Sequence, residues 1–449
     1  MNWLQLLSSK RPGKYAADGA QSIIRTAFEQ DYDRIIFSSP FRMLQDKTQV
    51  FPMPKHDFVH TRLTHSLEVS SVGRSLGKKV GEILIDRHLL LKDNQITSYE
   101  IGSIVAAASL THDLGNPPFG HSGEDAISDF FLNNSAAQRY QKEVTAHEWQ
   151  DLLSFEGNAQ GFRLLNKQQY QGLKLTYATL AAFTKYPRPS LIKKRNMGRK
   201  SQKKYGFFSS EATTFERVAL ETGMIKLATE ELIWTRHPLA FLVEAADDIC
   251  YHIIDLEDGC SAGLVSYETT RDLLGKIIGS KYKPEKLEQI PNQREKVGLL
   301  RALAIGELIE QVATLFLDKE VEILEGKFDQ SLTGNIPASA ILKEIIVLSV
   351  KQIYKSQQVM NIEVAGFEVI DGLLEKFLSA SYAVAFTEQA TPRHMATYRL
   401  LPAEIKHLIE HDKNISPYQV IRQILDFVSG LTDTNAISLY KKIMGISLG

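Results

Sequence analysis

Ile101-Gly102-Ser103-Ile104-Val105-Ala106-Ala107-Ala108-Ser109-Leu110-Thr111-His112-Asp113-Leu114 is an apolar run that predicts a hydrophobic helix. Gly115-Asn116-Pro117-Pro118-Phe119-Gly120 follows, and its Gly and Pro residues make it a loop. A His-Asp pair at the end of a buried helix is expensive unless something satisfies it. A metal ion does so. The same dipeptide recurs as His56-Asp57, beside Pro52-Met53-Pro54-Lys55, and as His411-Asp412 in a charged stretch. Both of those are expected on the solvated surface.

Two further segments carry matching side chains. Residues 59–85 predict a helix in which His65, Val69, Val72, Leu76 and Val80 recur at steps of three and four. They share one face, so His65 points into the protein. Pro238 can open a helix at its first position, and the helix is expected to run to Gly259. On it Asp247, Tyr251 and Asp255 follow at i, i+4 and i+8, a single stripe that Leu239 and Val243 extend. Asp248 points about 100° away around that helix.

His65, His112, Asp113 and Asp247 are therefore four candidate metal ligands on three segments. Two imidazoles and two carboxylates suit a borderline or hard divalent ion with positions left for water and phosphate. Mn²⁺ or Mg²⁺ is the expected ion, and the chemistry is that of a phosphate-ester hydrolase. Each residue also has a plainer reading. A lone His on an apolar face is more often a core histidine, and a carboxylate stripe is more often a set of ion pairs. Arg62, one turn before His65, shifts the balance, because its guanidinium can hold a metal-bound phosphate. His121 and Glu124 stand at i, i+3 after the Gly/Pro loop. They are either an acid/base pair or a helix start with Ser122 as cap and Glu124 in the first turn.

The rest of the chain supplies a frame. Residues 123–153 and 173–186 read as helical, the latter ending at Pro187, and 266–449 alternates helical patterns with polar breaks, Val297–Leu317 most clearly. Strand-like alternation is scarce, so the fold class is mainly α. Lys185 to Lys204 holds nine Lys/Arg and no acid; it predicts an exposed loop whose first two residues, Lys185 and Tyr186, reach the site. Such a run clamps a polyphosphate, binds nucleic acid, or is simply solvated.

The 449 residues carry 52 basic and 53 acidic side chains, so overall charge does not point to nucleic acid. Cys250 and Cys260 make no disulfide framework, and the N-terminus lacks a signal-peptide pattern. No run reaches membrane-spanning length. A reducing cytoplasmic setting is expected.

Arg62-Leu63-Thr64-His65-Ser66-Leu67-Glu68-Val69, His112 to Glu124, Phe155-Glu156-Gly157-Asn158-Ala159-Gln160 and Glu244 to Tyr251 resemble the bacterial dGTP triphosphohydrolases of the HD superfamily. So do Leu44 to Pro52 and Gly430-Leu431-Thr432-Asp433-Thr434-Asn435-Ala436. Together these motifs span about residues 25 to 440. The resemblance implies an all-α fold: an N-terminal arm (1–24), an HD catalytic core (25–265), and a helical C-terminal region (266–449) packed on it. It implies a metal held by His65, His112, Asp113 and Asp247, and cleavage of a deoxynucleoside triphosphate to the deoxynucleoside and inorganic triphosphate. His121 and Glu124 match catalytic positions, Arg62 and Lys185 phosphate contacts, Tyr251 and Asp255 sugar contacts, and Gln49 a sugar or base contact. It also implies a homo-oligomer, commonly a hexamer, with a dNTP or single-stranded DNA as effector and a role in controlling dNTP pools. Leu431 departs from the usual Met, and Asn116 stands where a related vertebrate enzyme has His. The rival readings are another HD phosphohydrolase, such as a 5′-nucleotidase, and a silent nucleotide- or DNA-binding regulator.

Overall fold

The computed structural model describes residues 1–13, 25–49, 60–167, 172–387 and 389–446. Twenty-three α-helices and short 3₁₀ turns make up the described chain, with two isolated β-bridges and no strand among the described residues. No described helix is long and apolar enough to cross a membrane. His56 and Asp57 lie outside the described residues; His411 is exposed.

The centre is a pair of helices, Arg62–Arg87 and Ser98–Thr111, which make the most extensive contact among the described elements. Thr61 and Thr97 start them, each accepting a hydrogen bond from the backbone N–H three residues on. The two backbones nearly touch. A Cβ added at Gly77 would lie 2.9 Å from the Gly102 Cα, so a side chain there would force the helices apart. Val69, Leu76, Val80 and His65 line the buried face, as their spacing predicts.

The Pro238–Ser261 helix packs across this pair, and the Gln293–Asp318 helix packs on it and on Arg62–Arg87. These helices form a first hydrophobic core that also takes in Trp3, Leu6 and Leu7, so these three side chains anchor the start of the chain. Trp3 donates from Nε1 to Glu320 at 2.9 Å.

A second core joins the His121–Asn133 helix to Gln357–Phe386 and Pro417–Gly430. Phe130, Phe131, Leu373, Phe377 and Ile424 are its centre. Gly115 sits where the chain passes between the cores. A Cβ there would fall 2.0 Å from the Gly157 carbonyl oxygen, so only glycine fits.

Two expectations need correcting. The 123–153 stretch is not one helix: it breaks after Asn133, where Asn134 caps a short turn, and restarts at Ala146 behind a Thr145–Glu148 capping box. The helix predicted over 173–186 is only Tyr177–Phe183. Thr176 caps its start, and Thr184 turns to an extended conformation three residues before Pro187.

Candidate active site

The two cores meet around a cavity of about 630 Å³. Arg62 and His65 enter it from the first turn of the Arg62–Arg87 helix. His112 is the C-cap of Ser98–Thr111, and Asp113 follows it. Asp247 and Tyr251 come from Pro238–Ser261, His121 and Glu124 from the start of His121–Asn133. Lys185, Tyr186 and Gln49 also line it. A larger cavity elsewhere, about 820 Å³, holds none of these candidates.

His65, His112 and Asp247 place one ligating atom each within 4.8 Å of one another. The His112 Nδ1–H donates to the Ser109 carbonyl at 2.7 Å. A carbonyl can only accept, so the proton is on Nδ1 and Nε2 presents a lone pair. That Nε2 is buried and has no hydrogen-bond partner, although it lies 3.4 Å from Asp247 and 3.5 Å from Asp113. Burial pushes the His112 imidazole below its ordinary pKa, so it stays neutral, as a metal ligand must. Burial would raise Asp247, but the Lys185 ammonium and the hydrogen bond with His65 hold it well below the carboxylate range. An orphaned lone pair facing an ionised carboxylate is the donor set of a divalent-cation site, and these residues fit such an ion. Asp113 stands beside the cluster. Its oxygens accept from Arg62 Nη1 at 2.8 Å and from Asn116 Nδ2 at 2.6 Å.

Around the cluster lie cations. The Lys185 Nζ is 2.6 Å from Asp247 Oδ2. Lys185 does not belong to the preceding helix, which ends at Phe183. The basic stretch is also less exposed than predicted. Arg188 is fully buried, Arg199 pairs with Asp329 and Lys200 with Glu244. Residues 193–198 and Lys203 are exposed. Lys203 and Lys204 line the cavity, where only Lys185 and Tyr186 were expected. Lys204 reaches Glu156 at 3.2 Å and Glu124 at 4.0 Å.

Glu124 accepts from the Gly157 N–H at 2.5 Å and holds His121 Nδ1 at 2.6 Å. That hydrogen bond to Glu124 raises the His121 pKa above its ordinary value. The imidazole itself is 78% exposed, open to the cavity. The helix N-cap is Gly120, without a side-chain cap, so Ser122 does not play that part.

Tyr251 stacks on Tyr354 with ring centroids 5.7 Å apart. Asp255 does not line the cavity: it lies buried behind this pair and accepts from the Tyr354 hydroxyl at 2.6 Å. Burial lifts its carboxyl to about 7. Asp248 reaches the cavity wall, and its carboxylate accepts from the Thr333 hydroxyl. Sequence reading missed Tyr354, Ile362 and Glu363, which the C-terminal region brings to the cavity. Neither their spacing nor their surroundings mark them.

The all-α fold and its His/Asp site define the class, an HD-domain phosphohydrolase. Residues 337–442 match the phosphohydrolase-associated domain model. Over its full length the chain is 44% identical to a deoxyguanosinetriphosphate triphosphohydrolase-like protein of Synechocystis, covering all of that protein. It is 37% identical to one of Pseudomonas aeruginosa, covering all of this chain and 99% of that one. The deoxyguanosinetriphosphate triphosphohydrolase of Yersinia pseudotuberculosis is 31% identical over 99% of each chain. The chain belongs to the deoxyguanosinetriphosphate triphosphohydrolase family.

Proposed function

We propose that this chain hydrolyses deoxynucleoside triphosphates, dGTP foremost, to the deoxynucleoside and inorganic triphosphate, and so lowers dNTP pools. The observation that carries the reading is the His65/His112/Asp247 cluster with Arg62, Lys185 and the His121–Glu124 pair around one cavity.

His65, His112 and Asp247, with Asp113 beside them, would hold a divalent ion, Mn²⁺ or Mg²⁺. Such an ion supplies Lewis acidity at a non-bridging phosphate oxygen. Arg62 and Lys185 neutralise phosphate charge, Lys185 turning from Asp247 to the substrate. Water attacks the α-phosphorus, forming the new P–O bond as the bond to the 5′-oxygen breaks. His121, kept protonated by Glu124, gives its proton to the departing 5′-oxygen. The deoxynucleoside leaves with a 5′-hydroxyl, triphosphate carries the new oxygen, and the proton that the attacking water loses passes to solvent, from which His121 is protonated again. Tyr251, braced by Tyr354, lies under the deoxyribose and fills the space of a 2′-hydroxyl. Asp255 acts on the sugar side through Tyr354, and Gln49 contacts sugar or base. The reading includes a homo-oligomer, hexameric in keeping with the family resemblance, and a nucleotide or single-stranded DNA effector.

The test is to incubate the purified protein with each dNTP and NTP and Mn²⁺ or Mg²⁺, then separate the products. Deoxynucleoside plus intact triphosphate is the expected outcome. Stepwise release of orthophosphate or pyrophosphate would assign the chain to nucleotidase chemistry. No product, even with dNTP mixtures present, would leave a silent regulator.

A further inference from the structure

The loop from His112 to His121 carries a metal-site residue at one end and the acid/base imidazole at the other. Near its end Phe119 has φ +66°, a left-handed conformation rare for an aromatic residue. A side chain clashes with its own backbone in that region, so the surroundings must impose it. Gly120 follows at φ +61°, and the His121–Asn133 helix begins at once. The direction in which His121 leaves the loop therefore depends on the Phe119 and Gly120 backbone together.

Asp433 holds that backbone. Its Oδ1 accepts from the Phe119 N–H at 3.0 Å, while Oδ2 accepts from the Thr48 N–H at 3.0 Å and from the Thr48 hydroxyl. Asp433 is buried and opens the Asp433–Ile443 helix, in the region that matches the phosphohydrolase-associated domain. Two neighbours act with it. Lys47 donates from Nζ to the Asn116 carbonyl at 2.6 Å and to the Ser429 carbonyl at 2.8 Å, tying the earlier part of the loop to the end of Pro417–Gly430. Gly366 lies against the Phe119 ring, where an added Cβ would sit 3.1 Å from Cδ2.

We propose that Asp433 is a positioning residue: by anchoring the left-handed Phe119 it aims His121 into the cavity, and this is a task of the C-terminal region. The proposal rests on His121 being catalytic. Asp433 takes part only through the loop it holds. Three donors converge on its two oxygens, and an amide offers one acceptor in their place, so Asp433→Asn keeps the shape and loses the anchor.

The experiment is a double-mutant cycle on the full chain with Mn²⁺ and dGTP, reading kcat and KM for Asp433→Asn, His121→Ala and the pair. Hydrogen exchange at the Phe119 amide is read on Asp433→Asn. Asp433→Asn is expected to lower kcat roughly 10- to 100-fold, the scale of a small misplacement of a catalytic group, with KM changed less than about threefold. In the His121→Ala background the same substitution should have no further effect, and Phe119 exchange should speed at least about tenfold. Equal losses in both backgrounds, or unchanged exchange, would overturn the proposal. If His121→Ala leaves kcat intact, the catalytic reading fails, and the exchange measurement alone decides whether Asp433 anchors Phe119. Should Asp433→Asn not fold, Gly366→Ala presses on the ring of the residue that Asp433 anchors and is expected to give the same pattern; a wild-type kcat in that variant would count against the proposal.

Discussion

The His112 Nε2 and the Asp247 Oδ1 face each other across 3.4 Å with no proton between them. Both are acceptors: the Asp247 Oδ1 also lies 3.3 Å from the His65 Nε2, and no donor reaches the His112 Nε2. A cation between acceptors is the arrangement that makes this contact favourable.

Metal binding is therefore expected to stabilise the protein. Titrating Mn²⁺ into metal-stripped protein should raise Tm; at a hundredfold excess over Kd the gain is about 2.7 kcal/mol. His112→Ala should abolish both the Tm shift and the bound metal measured by elemental analysis. A full shift in that variant would remove His112 from the ligand set.

His121→Ala should lower kcat by roughly 10²- to 10⁴-fold, the range of general acid–base catalysis, with metal content unchanged. The pH profile tests the acid role. Glu124 raises the His121 pKa, so the imidazolium persists to higher pH than an ordinary histidine. Activity that needs this proton falls as pH rises through the raised pKa. Glu124→Gln should move that alkaline limb toward lower pH. A limb moving upward, or none, contradicts the assignment.

Tyr251→Ala should weaken the preference for dGTP over GTP, by roughly 10- to 100-fold if the ring excludes the 2′-hydroxyl by contact. Because Tyr354 stacks on Tyr251, Tyr354→Ala should show the same change in smaller measure. The ratio of kcat/KM values for the two nucleotides is the readout. An unchanged ratio in Tyr251→Ala assigns the discrimination to another part of the cavity.

Asp255 gives a pH-dependent stability term. Its folded carboxyl is raised to about 7 by burial, above the unfolded value near 3.9. Between those values the folded state keeps a proton that the unfolded chain has lost, so this group's contribution to stability falls as pH rises from about 4 to 7. Above pH 7 the full cost remains. Asp255→Asn removes it and should raise Tm relative to wild type more at pH 8 than at pH 5. Equal Tm differences at the two pH values would show that Asp255 does not titrate in this way.

The candidate site was legible in proportion to how local its signals are. His65, His112 and Asp247 each lie on an apolar helical run, and a polar group on such a run is conspicuous because burial without a partner is unfavourable. The Arg62 and His121–Glu124 placements followed from helical spacing of three. Helix interiors were legible as well, since their periodicity repeats; the breaks at Asn134 and Thr184 were not, since one side-chain cap outweighs propensity there.

By itself the chain determined its all-helical class, the polarity of its buried faces and the side chains that must find a partner inside. These are properties of composition and period along one helix at a time. Tertiary structure alone decided that Lys204 enters the cavity while Lys200 pairs with Glu244, and that Tyr354 and Glu363 join residues far away in sequence. It also decided that Asp433 holds Phe119 in a conformation the residue would not choose. The physical reason is the same in each case: these placements are set by which surfaces the two cores press together, and no period within a single segment records that.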